Sequence, residues 1–177
     1  MAAPPPRTGP PAPCPALRRL LPADAAAYRA LRLEGLECHP EAFGAAWEDE
    51  ADKPLDWFAE RLTTNLVIGG TVYGPGLEGV AGLMVPQGAK QRHRGVLWGM
   101  YVCPDARGTG LAAALVAQVL QAARGRVEAV RLTVVARNPA AIRVYRAAGF
   151  AEYGLERQAL KLGRTYYDEM LMAVPLD

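Results

Sequence analysis

The segment that most constrains the fold of this chain is PDARGTGLAAALVAQVL, residues 104–120. A proline opens it, glycines follow at Gly108 and Gly110, and alanine, leucine and valine fill most of the remainder. This order is typical of a loop that turns bare backbone amides toward an anion, directly in front of a helix. The sequence therefore predicts an anion-binding turn and a helix that continues to about Arg124.

Two other anion-binding loops can be compared with this segment. A triphosphate-binding loop requires Lys and then Ser or Thr after its last glycine, whereas Leu111 and Ala112 follow Gly110 here. The dinucleotide fingerprint G-x-G-x-x-G/A fits better, and Glu128 lies twenty residues beyond Gly108. However, CPDAR separates the glycines from the preceding strand, and Glu128 begins the next strand instead of ending it. Both alternatives are therefore disfavoured.

Hydrophobic periodicity predicts the other elements. ALRRL is a candidate first strand, PADAAAYRALRLEGLEC and PLDWFAERLT are candidate helices, and LVIGGTVYG with LEGVAGLMVP predicts a hairpin. GVLWGMYVCP and VEAVRLTVVA predict two further strands, the second buried on both faces, and the segment from Ala151 predicts two strands around a Gly-Arg turn. This order favours the α+β class, a mixed α/β sandwich.

A second segment, NPAAIRVYRAAGF at residues 138–150, carries clear helix punctuation. Asn138 is a candidate N-cap, Pro139 occupies the first turn, and Gly149 supplies the left-handed position at the end. Tyr145 lies two helical turns beyond Asn138, so both side chains are expected on the same side. From the residues alone, Tyr145 is either a core tyrosine or a functional one.

Composition limits the classes of function. The chain has 177 residues, three cysteines and two histidines, and its formal charge is +2. The cysteines and histidines form no metal-binding spacing, and this charge is too small to indicate nucleic-acid binding. With no apolar run of membrane-spanning length, we expect a cytoplasmic protein without membrane or metal. Residues 1–14 are proline-rich and predicted to be a disordered tail, and residues 15–177 are predicted to form one domain.

The two segments together resemble a known family. MYVCPDARGTGLA at residues 100–112 is similar to the acetyl-CoA-binding segment of the GNAT superfamily of N-acetyltransferases, whose signature is R/Q-x-x-G-x-G/A. NPAAIRVYRAAGF resembles its second segment, and RLEGLECHPEAFGAAW is similar to a bacterial subgroup. The resemblance extends from about Leu17 to the C-terminus. It implies a twisted, mostly antiparallel sheet of about seven strands flanked by about four helices.

The resemblance also implies a cosubstrate and a reaction. By this resemblance, the anion expected at the glycine loop is the pyrophosphate of acetyl-CoA. An acceptor amine attacks the acetyl group directly, without an acyl-enzyme. In relatives, a bulged strand binds the pantetheine arm and donates to the oxyanion, and a tyrosine in the position of Tyr145 is the general acid for the leaving sulfur. The cosubstrate-binding residues implied are Met100, Tyr101, Val102, Arg107, Gly108, Thr109, Gly110, Leu111, Ala112, Asn138 and Tyr145.

The general base of many relatives has no counterpart in this chain. Many relatives carry a glutamate on the strand before the phosphate loop, but Trp98, Gly99 and Met100 stand there in this chain. Glu34 and Glu37, on the first predicted helix, are substitutes. The alternatives are that these glutamates are simply solvated, and that a chain of water carries the proton.

The acceptor is a primary amine of unidentified nature, small-molecule or peptide. The acidic EDEAD, residues 48–52, either attracts a cationic amine or is a solvated loop, and the basic KQRHRG, residues 90–95, either meets an anion or connects two strands. In both cases the loop is the favoured interpretation. His39 and His93 carry no pattern of a ligand or base.

Three expectations concern the wider function. The alternative to an enzyme is a non-catalytic sensor module that binds acyl-CoA. An interaction protein recruited through the proline-rich tail is compatible with either. The last strands of this family often join subunits, so the oligomeric state stays open between a monomer and a homodimer.

Overall fold

The computed structural model describes residues 14–176, so only Cys14 of the predicted tail lies within it. The strands are β1 (Ala16–Arg19), β2 (Leu66–Thr71), β3 (Gly79–Met84), β4 (Arg94–Val102), β5 (Ala129–Val135), β6 (Ala151–Leu162) and β7 (Thr165–Pro175). The helices are α1 (Ala25–Cys38), α2 (Trp47–Glu50), α3 (Leu55–Thr64), α4 (Leu111–Ala123) and α5 (Pro139–Ala147). No helix within the described range is long and apolar enough to cross a membrane.

The strands form one sheet in the order β1-β2-β3-β4-β5-β7-β6. Every neighbouring pair is antiparallel except β4 and β5. The predicted mixed α/β class and the mostly antiparallel sheet of seven strands are therefore confirmed, together with the four longer helices. The one-turn helix α2 was missed, because EDEAD was interpreted as a loop.

Two hydrophobic clusters lie on opposite faces of the sheet. Helices α4 and α5 contribute to one, and α1 and α3 to the other. Helix α4 can approach closely because an added Cβ at Gly79 would lie 2.9 Å from a methyl carbon of Leu115. Leu111 and Leu115 are fully buried, and each such side chain contributes about 1.5–3 kcal/mol relative to exposure.

Strand β5 is less buried than the sequence predicted. We predicted that it is buried on both faces, but Thr133 is exposed and Arg131 is half-buried. Val130, Leu132 and Val134 pack into the cluster beneath α4 and α5. On the other face α1 packs on β4, and Thr133 donates from Oγ1 to Oε1 of Glu169 on β7 at 3.2 Å.

Strands β4 and β5 separate along their length. Their parallel pairing covers only Arg94–Val96 against Ala129–Arg131. Further along β4, the register with β3 shifts between Trp98 and Tyr101, and Gly99 has a φ of +62°. This bulge adjoins the stretch 100–102 that was expected to be bulged. Beyond it, the ends of β4 and β5 leave a cleft between them.

Candidate active site

A cavity of about 590 Å³ occupies the cleft between the diverging strands. The ends of β4 and β5 form its base, and the N-terminal turns of α4 and α5 form its walls. Its volume is in the range of small-molecule sites. Eight of the eleven residues predicted to bind the cosubstrate line it: Met100, Tyr101, Val102, Arg107, Gly108, Gly110, Ala112 and Asn138.

The glycine loop presents backbone to this cavity. Gly108 and Gly110 have φ values of +76° and +88°, and a Cβ added at either would find no atom within 4 Å. The glycines are thus required by backbone conformation, and the space in front of them stays open. Gly110 is the N-cap of α4, so the partial positive charge of that helix end faces the same space.

Two predicted residues support the loop without lining the cavity. Thr109 donates from Oγ1 to the carbonyl of Ala106 at 2.7 Å and accepts from the amide of Leu111 at 3.4 Å. Leu111 itself is fully buried in the core. These contacts fix the turn from which the loop amides project.

The start of α5 forms the opposite wall. Asn138 caps the helix, since its Oδ1 accepts from the amide of Ala141 at 3.1 Å, as predicted. Arg137 also lines the cavity and is exposed, so it adds a second positive charge to that of Arg107. Sequence reasoning missed Arg137, although its position directly before the capping asparagine was a usable signal.

Tyr145 lies behind this wall. It is 6% exposed, and its ring packs edge-on against Phe150 at a centroid distance of 5.9 Å. Burial raises the pKa of its phenol, which therefore stays protonated at neutral pH. Its neighbours Ala141 and Val144 line the cavity, whereas Tyr145 is not among the lining residues.

Tyr101 connects the cavity to α1. Its hydroxyl donates to Oε1 of Glu34 at 2.9 Å, and its ring packs on Gly35, where an added Cβ would lie 3.0 Å from Cγ of Tyr101. Burial, and then the bond to Glu34, raises the pKa of the Tyr101 phenol. The structure thus places Glu34 one hydrogen bond from the cavity, while Glu37 is exposed one turn further on.

A histidine that the sequence did not single out joins the site. Arg107 donates from Nε to the carbonyl of Val102 at 3.1 Å, and its Nη2 lies 2.8 Å from Nε2 of His39. Because a guanidinium only donates, Nε2 of His39 accepts and Nδ1 carries the proton. That proton faces Oε1 of Glu41, 3.7 Å from Nδ1. No local sequence signal links His39 to a residue so distant along the chain.

The acidic segment after α1 is not uniformly solvated. Glu50 is 4% exposed and accepts two bonds from Arg32, at 2.9 and 2.8 Å, and one from Arg61 at 3.2 Å. The favoured interpretation of EDEAD as a solvated loop is therefore wrong at Glu50, because burial of Arg32 requires a charged partner. Asp49 and Glu48 are exposed. Within residues 14–176, no three His, Cys, Asp or Glu side chains are grouped to hold a metal ion.

Comparisons with known proteins agree with this geometry. Residues 26–150 match the sequence model described as the acetyltransferase (GNAT) family. A GNAT-family acetyltransferase from Streptococcus pneumoniae superposes with a TM-score of 0.80 at 22% identity, over 92% of this chain and 99% of that one.

Two further solved structures share the fold. A ribosomal-protein-alanine N-acetyltransferase from Brucella melitensis gives a TM-score of 0.75 at 24% identity, over 91% of this chain and 99% of the other. A phosphinothricin acetyltransferase from Sinorhizobium meliloti, in complex with acetyl-CoA, gives 0.78 at 21%, over 92% and 88% respectively. By the match over residues 26–150, the chain belongs to the acetyltransferase (GNAT) family.

Proposed function

We propose that the chain is an N-acetyltransferase that moves the acetyl group of acetyl-CoA directly to a primary amine. The single observation that carries this proposal is the open cleft between β4 and β5, into which the backbone of Gly108 and Gly110 faces. Membership of the acetyltransferase family supports it. So does the acetyl-CoA bound to the similarly folded Sinorhizobium meliloti enzyme.

The residues present fit acetyl-CoA. A pyrophosphate needs several convergent N–H donors with no side chain in the way, and the two glycines leave that approach open. Arg107 and Arg137 add positive charge at the same cavity. The backbone of residues 100–102 is then the partner of the pantetheine arm. Acetyl-CoA supplies the acetyl group and a thiolate leaving group.

Tyr145 is the proposed acid for the leaving sulfur. Its raised pKa keeps a proton on the phenol at neutral pH, which is the state that an acid requires. Its hydroxyl must reach the cavity past Ala141 and Val144, which line the wall in front of it. A conservative change to phenylalanine removes only that hydroxyl and so isolates its role.

Glu34 is the proposed base and acts through Tyr101. An ammonium has no lone pair, so the acceptor must lose one N–H proton before its nitrogen attacks the acetyl carbon. A second N–H proton is lost as the C–S bond breaks, and it restores the phenol of Tyr145, which has protonated the sulfur. The first N–H proton passes to the oxygen of Tyr101. The hydroxyl proton of Tyr101 passes at the same time to the carboxylate of Glu34, 2.9 Å away. No charge therefore ends on the phenolic oxygen of Tyr101, and the raised pKa of this phenol does not oppose the transfer.

One observation favours the second candidate, a sensor that binds acyl-CoA without turnover. Trp98, Gly99 and Met100 occupy the stretch where many relatives carry a catalytic glutamate. Such a module needs the cleft and the glycine loop but neither Tyr145 nor Glu34.

The test combines two measurements on the full chain. Calorimetric titration with coenzyme A measures binding, and free-thiol release from acetyl-CoA across a panel of amines measures transfer. Binding with amine-dependent release supports the enzyme. Tight binding with no release from any amine indicates the sensor, and absence of binding refutes both.

A further inference from the structure

A second cavity of about 580 Å³ adjoins the cleft. It lies between the segment that follows α1, residues 40–48, and the tip of the β6–β7 hairpin, residues 159–162. Glu41, Phe43 and Tyr167 line both cavities, so the two spaces meet at these three side chains. None of the residues predicted to bind the cosubstrate lines this second cavity.

The walls of the second cavity combine apolar and charged side chains. Leu36, Phe43, Leu160 and Leu162 contribute aliphatic and aromatic surface, and Trp47 adds an indole. Trp47 is 39% exposed and Leu162 45% exposed, although both are large hydrophobic side chains. Exposed apolar side chains that converge on a concave surface mark a binding site for an apolar ligand.

The charge of this lining is negative. Glu37, Glu41 and Glu48 contribute three carboxylates against the single ammonium of Lys161, a formal net charge of −2. Glu50, a few residues further on, does not contribute, because Arg32 and Arg61 neutralise it. A negative cavity with apolar walls favours a ligand that carries one positive charge on an apolar body.

We infer that the second cavity binds the acceptor, a protonated primary amine on an apolar body. This inference rests on the proposed acetyl transfer. The amine nitrogen has to meet the acetyl group where the two cavities join, and Glu41 is the one charged side chain among the three that line both. Glu41 therefore receives the ammonium, and Phe43 and Tyr167 flank it. The volume suits a small molecule better than an extended peptide.

The test is a calorimetric titration of phenethylamine into the full chain saturated with coenzyme A. The matched pair of variants is Glu41→Gln and Glu60→Gln, which remove the same charge at the junction and on the exposed face of α3. We expect Glu41→Gln to weaken phenethylamine about tenfold and Glu60→Gln to leave its Kd unchanged. Equal affinity in wild type and Glu41→Gln would overturn the role of Glu41.

A series of amines tests the inferred class of acceptor. Trp47→Ala is expected to weaken phenethylamine about tenfold while leaving ethylamine unchanged, since only the ring contacts the indole. Glutamate and spermidine are expected to bind more weakly than phenethylamine. Tighter binding of either, or of a peptide through its N-terminus, would overturn the inferred class.

A titration with coenzyme A distinguishes failure of the proposed function from failure of the inference about the second cavity. If coenzyme A does not bind, the proposed function fails. If coenzyme A binds and amines release free thiol from acetyl-CoA, but glutamate binds as tightly as phenethylamine, only the inference about the second cavity fails.

Discussion

The two adjoining cavities are built in different ways. In the cleft between β4 and β5, the surface that faces the proposed pyrophosphate is the backbone of the glycine loop, set by the positive φ values of Gly108 and Gly110. In the second cavity it is side chains, among them Glu41 and Leu162, from segments that lie far apart in the sequence. A site made of backbone depends on few residue types at fixed spacing, whereas a site made of side chains can change its ligand one substitution at a time.

The largest expected effect concerns the support of the second cavity. Glu50→Ala leaves Arg32 buried without its partner, and we expect it to lower the free energy of unfolding by about 3–5 kcal/mol, as measured by urea denaturation. Glu48→Ala, in the same one-turn helix but exposed, is the control and should change it by less than about 0.5 kcal/mol. Equal losses in both variants would contradict the distinction between them.

The ion pair of Glu50 also makes the free energy of unfolding depend on pH. Burial by itself raises the pKa of Glu50, but the hydrogen bonds and charges of Arg32 and Arg61 outweigh it and lower the pKa overall. Because the folded pKa lies below the unfolded one, this stabilisation is present above the usual pKa of 4.5 and is lost as the pH falls through the folded value. The difference in unfolding free energy between wild type and Glu50→Gln should therefore narrow on acidification.

The next largest effect is on kcat, and it tests the separate roles of Tyr145 and Tyr101. Tyr145→Phe should lower kcat about a hundredfold with little change in coenzyme affinity, since it removes the proposed acid. Tyr101→Phe should lower kcat as well and shift its pH profile, because Glu34 loses the hydroxyl through which it acts. An unchanged kcat in Tyr145→Phe, measured by thiol release, would show that the buried phenol has no part in the transfer.

A smaller effect is expected in the backbone-built cleft. Gly110→Ala places a Cβ in the open space before α4 and strains a residue with φ of +88°, so coenzyme affinity should fall about tenfold in calorimetry. Gly163→Ala, at φ of +58° in the β6–β7 turn, carries a similar strain and is the control. If both variants bind coenzyme A equally, the loop does not hold it.

The smallest expected effect concerns the contact between α1 and Tyr101. Gly35→Ala brings a methyl group to 3.0 Å from the ring of Tyr101, closer than normal contact, so the ring must shift by a few tenths of an ångström. We expect kcat to fall about threefold with coenzyme affinity unchanged, because the bond between Tyr101 and Glu34 is perturbed. Loss of coenzyme affinity instead would show that the shifted ring disturbs coenzyme binding and not the bond to Glu34.

The sequence predicted what depends on local chemistry. The glycine loop, the Asn138 cap and the hairpins follow from conformational preferences of a few adjacent residues, and all appear in the fold. The burial of one face of β5, the ion pair of Glu50 and the approach of His39 to Arg107 depend on contacts between distant segments. No local pattern encodes those contacts.

The most direct test of the central claim is hydrogen–deuterium exchange of the full chain with and without coenzyme A. If the loop amides bind the pyrophosphate, exchange should slow at residues 107–112 and at the start of α5, whereas residues 44–48, which line only the second cavity, should change only when an amine is added. Protection confined to residues 40–48, or no protection at residues 107–112 under saturating coenzyme, would contradict the assignment of the cleft to acetyl-CoA.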